Sequence, residues 1–286
     1  MGRVLALAEN EEFELTDQDY KFIQWFIHKN VGIFLSDQKR NMVYGRVSRK
    51  LREKGLRRFA DYRQCIESDE QDRRRFINAI TTNKTHFFRE SHHIDFLEQQ
   101  LVPKWRGQAK RSISIWSAGC STGEEPYSYL AALKWTGMLE GEQEVTLLAT
   151  DLDTDVLATA AAGVYPQAAL DSIPHRYLKG AFLRGCGAQQ GKIKVQKSLQ
   201  QYVRFCALNL LDAWPSNLKF DLISCRNVLI YFDKETQQNL IHRFYQHLHP
   251  DGVLFLGHSE SVGAQAARFQ HLGKTIYTKD HSHGNQ

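Results

Sequence analysis

A chain of 286 residues, 42% hydrophobic and 24% charged, has the length for one large or two modest domains and the balance of a globular protein. No apolar run approaches the roughly 20 residues of a membrane span, and the N-terminal MGRVLALAENEEFEL reaches acids too soon for a signal peptide, so a cytoplasmic protein without membrane insertion is expected. The net charge of +5 is mild, and the five cysteines are scattered and never spaced as CxxC, which argues against a zinc ribbon or a disulfide framework.

Residues 1–90 read as a small all-helical domain. A helix over 16–32 opens on a capping-box pattern, Thr16 with Asp19, and stops at Gly32. Between residues 39 and 58 stand nine Lys or Arg against one acid, Glu53. A helix after Ser36 puts Met42, Val43, Val47 and Leu51 on a core face and Lys39, Arg46, Arg49, Lys50 and Lys54 on an exposed one. That face is either a solvated basic surface or an electrostatic dock for an acidic partner or nucleic acid. RRRFINAITTN at 73–83 carries another apolar stripe.

At the join of the two halves lies AITTNKTHFFRESHH, 79–93, where Asn83, Thr85 and Arg89 stand among Phe87 and Phe88. Such a run is either core with a surface charge or the lining of a cleft. His92 and His93 are adjacent and on a helix point about 100° apart, so no metal is expected there.

From residue 110 the pattern alternates. Strands are expected at 112–117, 145–150, 202–206, 219–224, 253–257 and 275–278, with helices at 124–137, 154–162 and 233–248. This predicts an α/β fold with a mainly parallel sheet covered by helices. The last two strands lack a helix between them and are expected to form an antiparallel edge pair. Residues 164–201 hold two prolines, four glycines and short alternating runs, an inserted excursion of small strands. The C-terminal DHSHGNQ reads as a disordered tail.

The strand ends carry the chemistry. In ISIWSAGCSTGEEPYS, 113–128, a strand meets a small-residue loop and then two acids, Glu124 and Glu125, at a helix start. Carboxylates there repel a pyrophosphate and suit hydroxyls or a cation, as in a nucleoside carrying a positive centre; the alternative is a tight turn with a solvated acidic first turn. Asp151, at the next strand end in ATDLDTDVL, is placed to accept from ribose hydroxyls. Asp151, Asp153 and Asp155 resemble the start of a calcium loop, but the Gly and later Glu of that motif are absent. Asn209 and Leu210 offer an amide and an apolar neighbour to an adenine, or simply close a turn. SCRNVLIYFD brings Arg226, Asn227 and Tyr231 to a further strand end, without the Asn/Asp-Pro-Pro-aromatic motif of methyltransferases that act on nucleic-acid amino groups.

Together TTNKTHFFRE, SAGCSTGEEPYS, ATDLDTDVL and CRNVLIYFDKETQQ resemble the CheR-type chemotaxis receptor methyltransferases, S-adenosylmethionine-dependent protein-glutamate O-methyltransferases, from about residue 16 to residue 278. The resemblance implies a helical N-terminal domain, 1–90, with its basic helix docking the receptor through Arg46, Arg49 and Lys50. It implies a Rossmann-like class I methyltransferase domain, 91–286, with a small antiparallel β-subdomain inserted at 164–201. Carried over residue by residue, the cofactor contacts fall on Asn83, Thr85, Arg89, Glu125, Asp151, Asn209, Leu210, Arg226 and Asn227, and the methyl-transfer site on Arg89 and Tyr231. The loop 184–195, RGCGAQQGKIKV, resembles the kind that binds a C-terminal peptide of the receptor. A monomer recruited to membrane chemoreceptor arrays, with no nucleic-acid partner, is the implied state.

Overall fold

A computed structural model describes residues 13–108 and 110–279; the N-terminal leader question and the DHSHGNQ tail lie outside them. The chain divides into two compact units, Met1–Thr82 and Asn83–Gln286.

The first unit is helical. α1 (Asp17–Val31) opens on the expected capping box, with Thr16 Oγ1 accepting from Asp19 N at 3.1 Å and the Asp19 carboxylate taking Thr16 N at 3.0 Å. It ends on left-handed Gly32. A short turn, Asp37–Lys39, leads into α2 (Arg40–Lys54), followed by α3 (Phe59–Ser68) and α4 (Glu70–Ile80). Val43, Val47 and Leu51 are buried as the helical spacing predicts, and a cluster of Phe22, Phe26, Phe59, Tyr62 and Phe76 rings fills the centre.

The second unit begins eight residues before the boundary drawn from sequence. Phe87 and Phe88 belong to its core, so residues 83–90 fold with it. α5 (His92–Phe96) and α6 (Val102–Gly107) are joined by a wide turn, Leu97–Leu101. Then come β1 (Ser112–Ala118), α7 (Glu124–Trp135), β2 (Glu144–Asp151) and α8 (Thr154–Ala162). The inserted segment forms β3 (Val164–Pro166), β4 (Phe182–Arg184) and β5 (Lys192–Val195), a three-stranded antiparallel sheet in the order β3-β5-β4. α9 (Lys197–Gln200) leads back to β6 (Val203–Ala207), β7 (Phe220–Cys225), α10 (Lys234–His247), β8 (Leu248–Leu256), β9 (Phe269–Gly273) and β10 (Ile276–Lys279).

The main sheet runs β6-β2-β1-β7-β8-β10-β9, parallel from β6 to β8. β10 is antiparallel to β8, as expected, but it is not the edge: β9, unread in the sequence, covers it. β9 escaped notice because Phe269 alone in FQHLG is buried, leaving no alternation to read. Strand side chains alternate between two cores. Ile113, Ile115, Leu222, Val253 and Phe255 face one, and Trp116, Ala118, Ile223, Leu254 and Leu256 face the other, under α10.

Candidate active site

From β1 the chain works outward first through β2 to β6 and then, on the other side, through β7 to β8, so the carboxyl ends of β1 and β7 flank the point where the winding reverses. Open α/β sheets bind ligands there. The loop leaving β1 is built for close backbone approach: Gly119, Ser121 and Gly123 all have positive φ (84°, 50° and 94°). Gly119 N and Cys120 N donate to Thr150 O at 2.8 and 2.9 Å, which fastens the loop to the end of β2. A Cβ on Gly123 would lie 2.8 Å from Ala160 Cβ, so only glycine lets α8 close against the loop.

Asp151 lies across this loop. Its Oδ2 accepts from Ser121 N at 2.8 Å and its Oδ1 from Asp153 N at 3.0 Å. Burial pushes its carboxyl above the ordinary range, against the pull of those N–H groups. Asp153 caps α8: its Oδ1 accepts from Asp155 N at 2.9 Å, and its Oδ2 takes Asn83 Nδ2 at 2.7 Å. Asn83 O in turn accepts from Ser121 Oγ at 3.2 Å. Asn83, Ser121, Asp151 and Asp153 thus form one hydrogen-bonded ring of residues around the loop.

The paired acids of α7 separate in role. Glu124 bonds locally, its Oε2 accepting from Thr122 Oγ1 at 2.6 Å. Glu125 points inward: Ser117 Oγ donates to its Oε1 at 2.7 Å, and Arg226 Nη1 to its Oε2 at 3.1 Å. Burial raises the Glu125 carboxyl, and Arg226 opposes that rise.

Arg226 is the hub. Its side chain is only 4% exposed. It reaches Glu125, donates from Nε to Glu90 Oε2 at 3.3 Å, and donates from Nη2 to Arg89 O. Asn227, left-handed at φ 59°, places its Nδ2 3.4 Å from Glu90 Oε1. Glu90 is therefore a site residue that the sequence reading quoted within its motif but did not single out. Its own φ of 55°, which turns its side chain back into the site, has no local sequence signal.

The segment 83–90 is fixed by its aromatics. The Phe87 ring meets Tyr165 edge-on at 4.9 Å, and Phe88 stacks on Tyr177 at 4.4 Å. Phe88 N also donates to Ser128 Oγ at 2.9 Å. On either side of these anchors Thr85 and Arg89 are half-buried. Arg89 Nη1 donates to Lys84 O at 2.9 Å. At the other end of the site, Leu208 N donates to Asp151 O at 2.9 Å, holding the end of β6 beside β2. Leu210 is buried there, and Asn209 Oδ1 accepts from Leu211 N at 3.1 Å, closing a turn with its side chain. Tyr231 is half-buried at the end of a single turn, Leu229–Tyr231, after β7.

The structure thus ties Asn83 to Asp151 and Glu125 to Arg226 and Asn227, while Asn209 and Leu210 lie one strand further out. Ser117, Ser121 and Glu90 join the network unforeseen. Glu90, His92 and His93 bring ligand atoms within 4.8 Å of one another, correcting the expectation that the two histidines diverge. The set fits a cation poorly: Arg226 already pairs with Glu90, and His92 Nε2 contacts Lys274 O at 3.0 Å.

In the first unit the three docking candidates differ. Arg46 is committed to its own unit, donating to Ile80 O, Thr81 O and Thr82 Oγ1. Lys50 pairs with Glu53 at 2.8 Å and its side chain is 19% exposed, whereas Arg49 is 61% exposed.

The donor set fits S-adenosylmethionine. Buried carboxylates on β2 and α7 suit hydroxyls and a positive centre and would repel phosphate, and an apolar Leu210 beside an amide suits an adenine. Two family profiles match the chain: "CheR methyltransferase, all-alpha domain" over residues 18–81 and "CheR methyltransferase, SAM binding domain" over 83–278. A chemotaxis protein methyltransferase of Escherichia coli strain K12 is 41% identical over 277 residues, 96% of this chain and 94% of that protein. Chemotaxis protein methyltransferase 2 of Pseudomonas aeruginosa is 40% identical, covering 94% and 95%. Among solved structures, SAM-bound CalS10, an amino pentose methyltransferase from Micromonospora echinaspora, matches with a TM-score of 0.32 at 14% identity over 61% of this chain and 58% of its own, too distant to add to the assignment. The all-α unit, the methyltransferase sheet with its inserted β-subdomain and the near-complete match to these relatives agree, and the chain belongs to the CheR methyltransferase family, S-adenosylmethionine-dependent methyltransferases of chemotaxis.

Proposed function

We propose that this protein methylates glutamate side chains on the cytoplasmic helices of membrane chemoreceptors, forming methyl esters that adapt the sensory response. The observation that carries the choice of a carboxylate substrate is Arg89. Arg89 is half-buried, its backbone O accepts from Arg226 Nη2, and its guanidinium, bonded to the Lys84 carbonyl, has no carboxylate paired with it among the described residues.

Bound S-adenosylmethionine supplies an activated methyl group on its sulfonium. Asp151 accepts the ribose hydroxyls, Glu125 and Asn83 line the cradle, Asn209 and Leu210 receive the adenine, and Thr85, Arg226 and Asn227 complete the contacts. A glutamate side chain, with an ordinary pKa near 4.3, is already ionised at neutral pH, so the chain has no proton to remove. Its work is alignment and exclusion of water. Arg89 holds the incoming carboxylate and Tyr231 donates a hydrogen bond to it. The basic face of α2, led by Arg49 and Lys50, steers acidic receptor helices to the enzyme.

The inserted sheet is read as a second grip on the receptor. β4 lies at its edge and Leu183 is half exposed there, a place where an extended C-terminal peptide adds along residues 184–195. The protein acts as a monomer, recruited from the cytoplasm to the receptor arrays.

The test is transfer of labelled methyl from S-adenosylmethionine to receptor-containing membranes, with and without the receptors' C-terminal peptide. Label that hydrolyses in mild base identifies a carboxyl ester. Base-stable label on RNA would replace this reading with a nucleic-acid methyltransferase, and cofactor binding without transfer would reduce the protein to a binding module. Unchanged receptor binding after removal of the peptide would sink the role given to residues 184–195.

A further inference from the structure

Beyond β8 the chain turns sharply through Gly257–Glu260 and brings Glu260 back under the segment that follows β7. Glu260 is 7% exposed. Its Oε2 accepts from Gly257 N at 2.6 Å and from Asn227 N at 2.9 Å, and its Oε1 accepts from Ile230 N at 3.3 Å. Backbone N–H groups at a tight turn need partners when buried, and one carboxylate supplies three. The fit is close: a Cβ on Gly257 would lie 2.6 Å from Asn227 N and 2.7 Å from Glu260 Oε2.

The segment so held is unusual. Asn227 is left-handed, a conformation that needs support in a non-glycine residue. Glu90 holds its side-chain amide from one side at 3.4 Å, and Glu260 holds its backbone from the other. Directly after Ile230 the same turn delivers Tyr231.

We propose that Glu260 is a positioning residue for methyl transfer, fixing the Asn227–Tyr231 segment so that the cofactor contact at Asn227 and the hydroxyl of Tyr231 are set by one buried carboxylate. This rests on the roles given above to Asn227 and Tyr231. Glu260 touches neither cofactor nor substrate and acts through the backbone it holds. Glutamine keeps its size but replaces one acceptor with a donor, which faces an N–H instead of receiving it.

The experiment compares wild type, Glu260→Gln and Tyr231→Phe in the full chain. Calorimetric titration with S-adenosylhomocysteine counts folded, cofactor-competent sites, and transfer to receptor membranes gives kcat per titrated site and KM for S-adenosylmethionine. Glu260→Gln is expected to bind one ligand per chain, with affinity lowered about three- to tenfold as the Asn227 contact loosens, and to lose kcat per site at least tenfold. A merely structural role would lower the number of sites and leave kcat per site intact, and any loss below tenfold overturns the proposal. If Glu260→Gln yields no competent sites, Gly257→Ala, which drives a Cβ into the same clamp while keeping the carboxylate, is judged by the same threshold. Wild-type turnover in Tyr231→Phe would overturn the role of Tyr231 separately.

Discussion

Arg226 Nη1 stands 3.1 Å from Glu125 Oε2, joining the end of β7 to the first turn of α7 across 101 residues of sequence. Both side chains are largely buried, at 4% and 13% exposure, and Glu90 is buried beside them at 13%. Removing one member of such a group leaves uncompensated buried charge, which costs about 3–5 kcal/mol. Arg226→Met is therefore expected to lower unfolding free energy by about that amount, read by urea denaturation, and to weaken cofactor binding at temperatures where the protein remains folded.

If Glu125 and Asp151 line the cofactor site, as proposed, these largely buried carboxylates give it a pH dependence. Burial raises Glu125 and Asp151 in the folded chain, so each takes up a proton at a higher pH than an ordinary carboxylate. Their ionised forms are the ones that accept from hydroxyls and balance a positive centre. Affinity for S-adenosylhomocysteine should therefore fall as pH is lowered, starting above the ordinary carboxylate range. The stability of the ligand-free chain responds with the opposite sign. A raised folded pKa means that the folded state binds the proton better, so these two groups add stability as pH falls through that window. Calorimetric titrations at several pH values, set beside denaturation curves, would separate the two trends.

His93 titrates the other way. It is fully buried, stacked on Phe255 at 4.4 Å, and burial, aided by Arg226, lowers its pKa to about 2. In the unfolded chain it titrates near 6.5. Between those values the unfolded state holds the extra proton, so stability rises with pH and is lost as pH falls below about 6.5. Going from pH 7.5 to 5.5 should cost about 1.4 kcal/mol from this residue. His93→Phe, a ring of similar size with no proton to gain, should show a smaller loss over that interval by this margin in urea titrations.

Receptor docking should follow the exposure of the basic residues. Arg49 is open to solvent and Lys50 is partly so, each pairing with Glu53, while Arg46 is bound to carbonyls at the end of α4. Replacing Arg49 and Lys50 with Ala should raise KM for receptor membranes severalfold, flatten its salt dependence and leave kcat close to wild type. Arg46→Ala should show itself mainly as lost stability of the helical unit. Equal salt sensitivity in wild type and the double variant would remove docking from this face.

If Arg89 holds the reacting carboxylate and Arg49 only steers the receptor, as proposed, Arg89→Ala should lower turnover by at least tenfold while Arg49→Ala does not. Kinetics on receptor membranes at saturating cofactor would separate these effects.

The sequence by itself determined most of the elements and their order, β9 and the helices over 92–107 apart. Thr16 with Asp19, the spacing of Val43, Val47 and Leu51, and the alternation of Ile113 and Ile115 with Trp116 and Ala118 are local patterns, and local physics sets caps, helix faces and strand faces. The small-residue loop before Glu124 and the acid at Asp151 were legible for the same reason. Tertiary structure alone decided which charges meet. Arg226 finds Glu90 and Glu125 through the parallel pairing of β1 with β7, and no spacing in the chain records a pair made over 101 or 136 residues. It also moved residues 83–90 into the second unit, because Phe87 and Phe88 bury their rings there, and it tied Arg46 to carbonyls where helical spacing alone had left it on a free face.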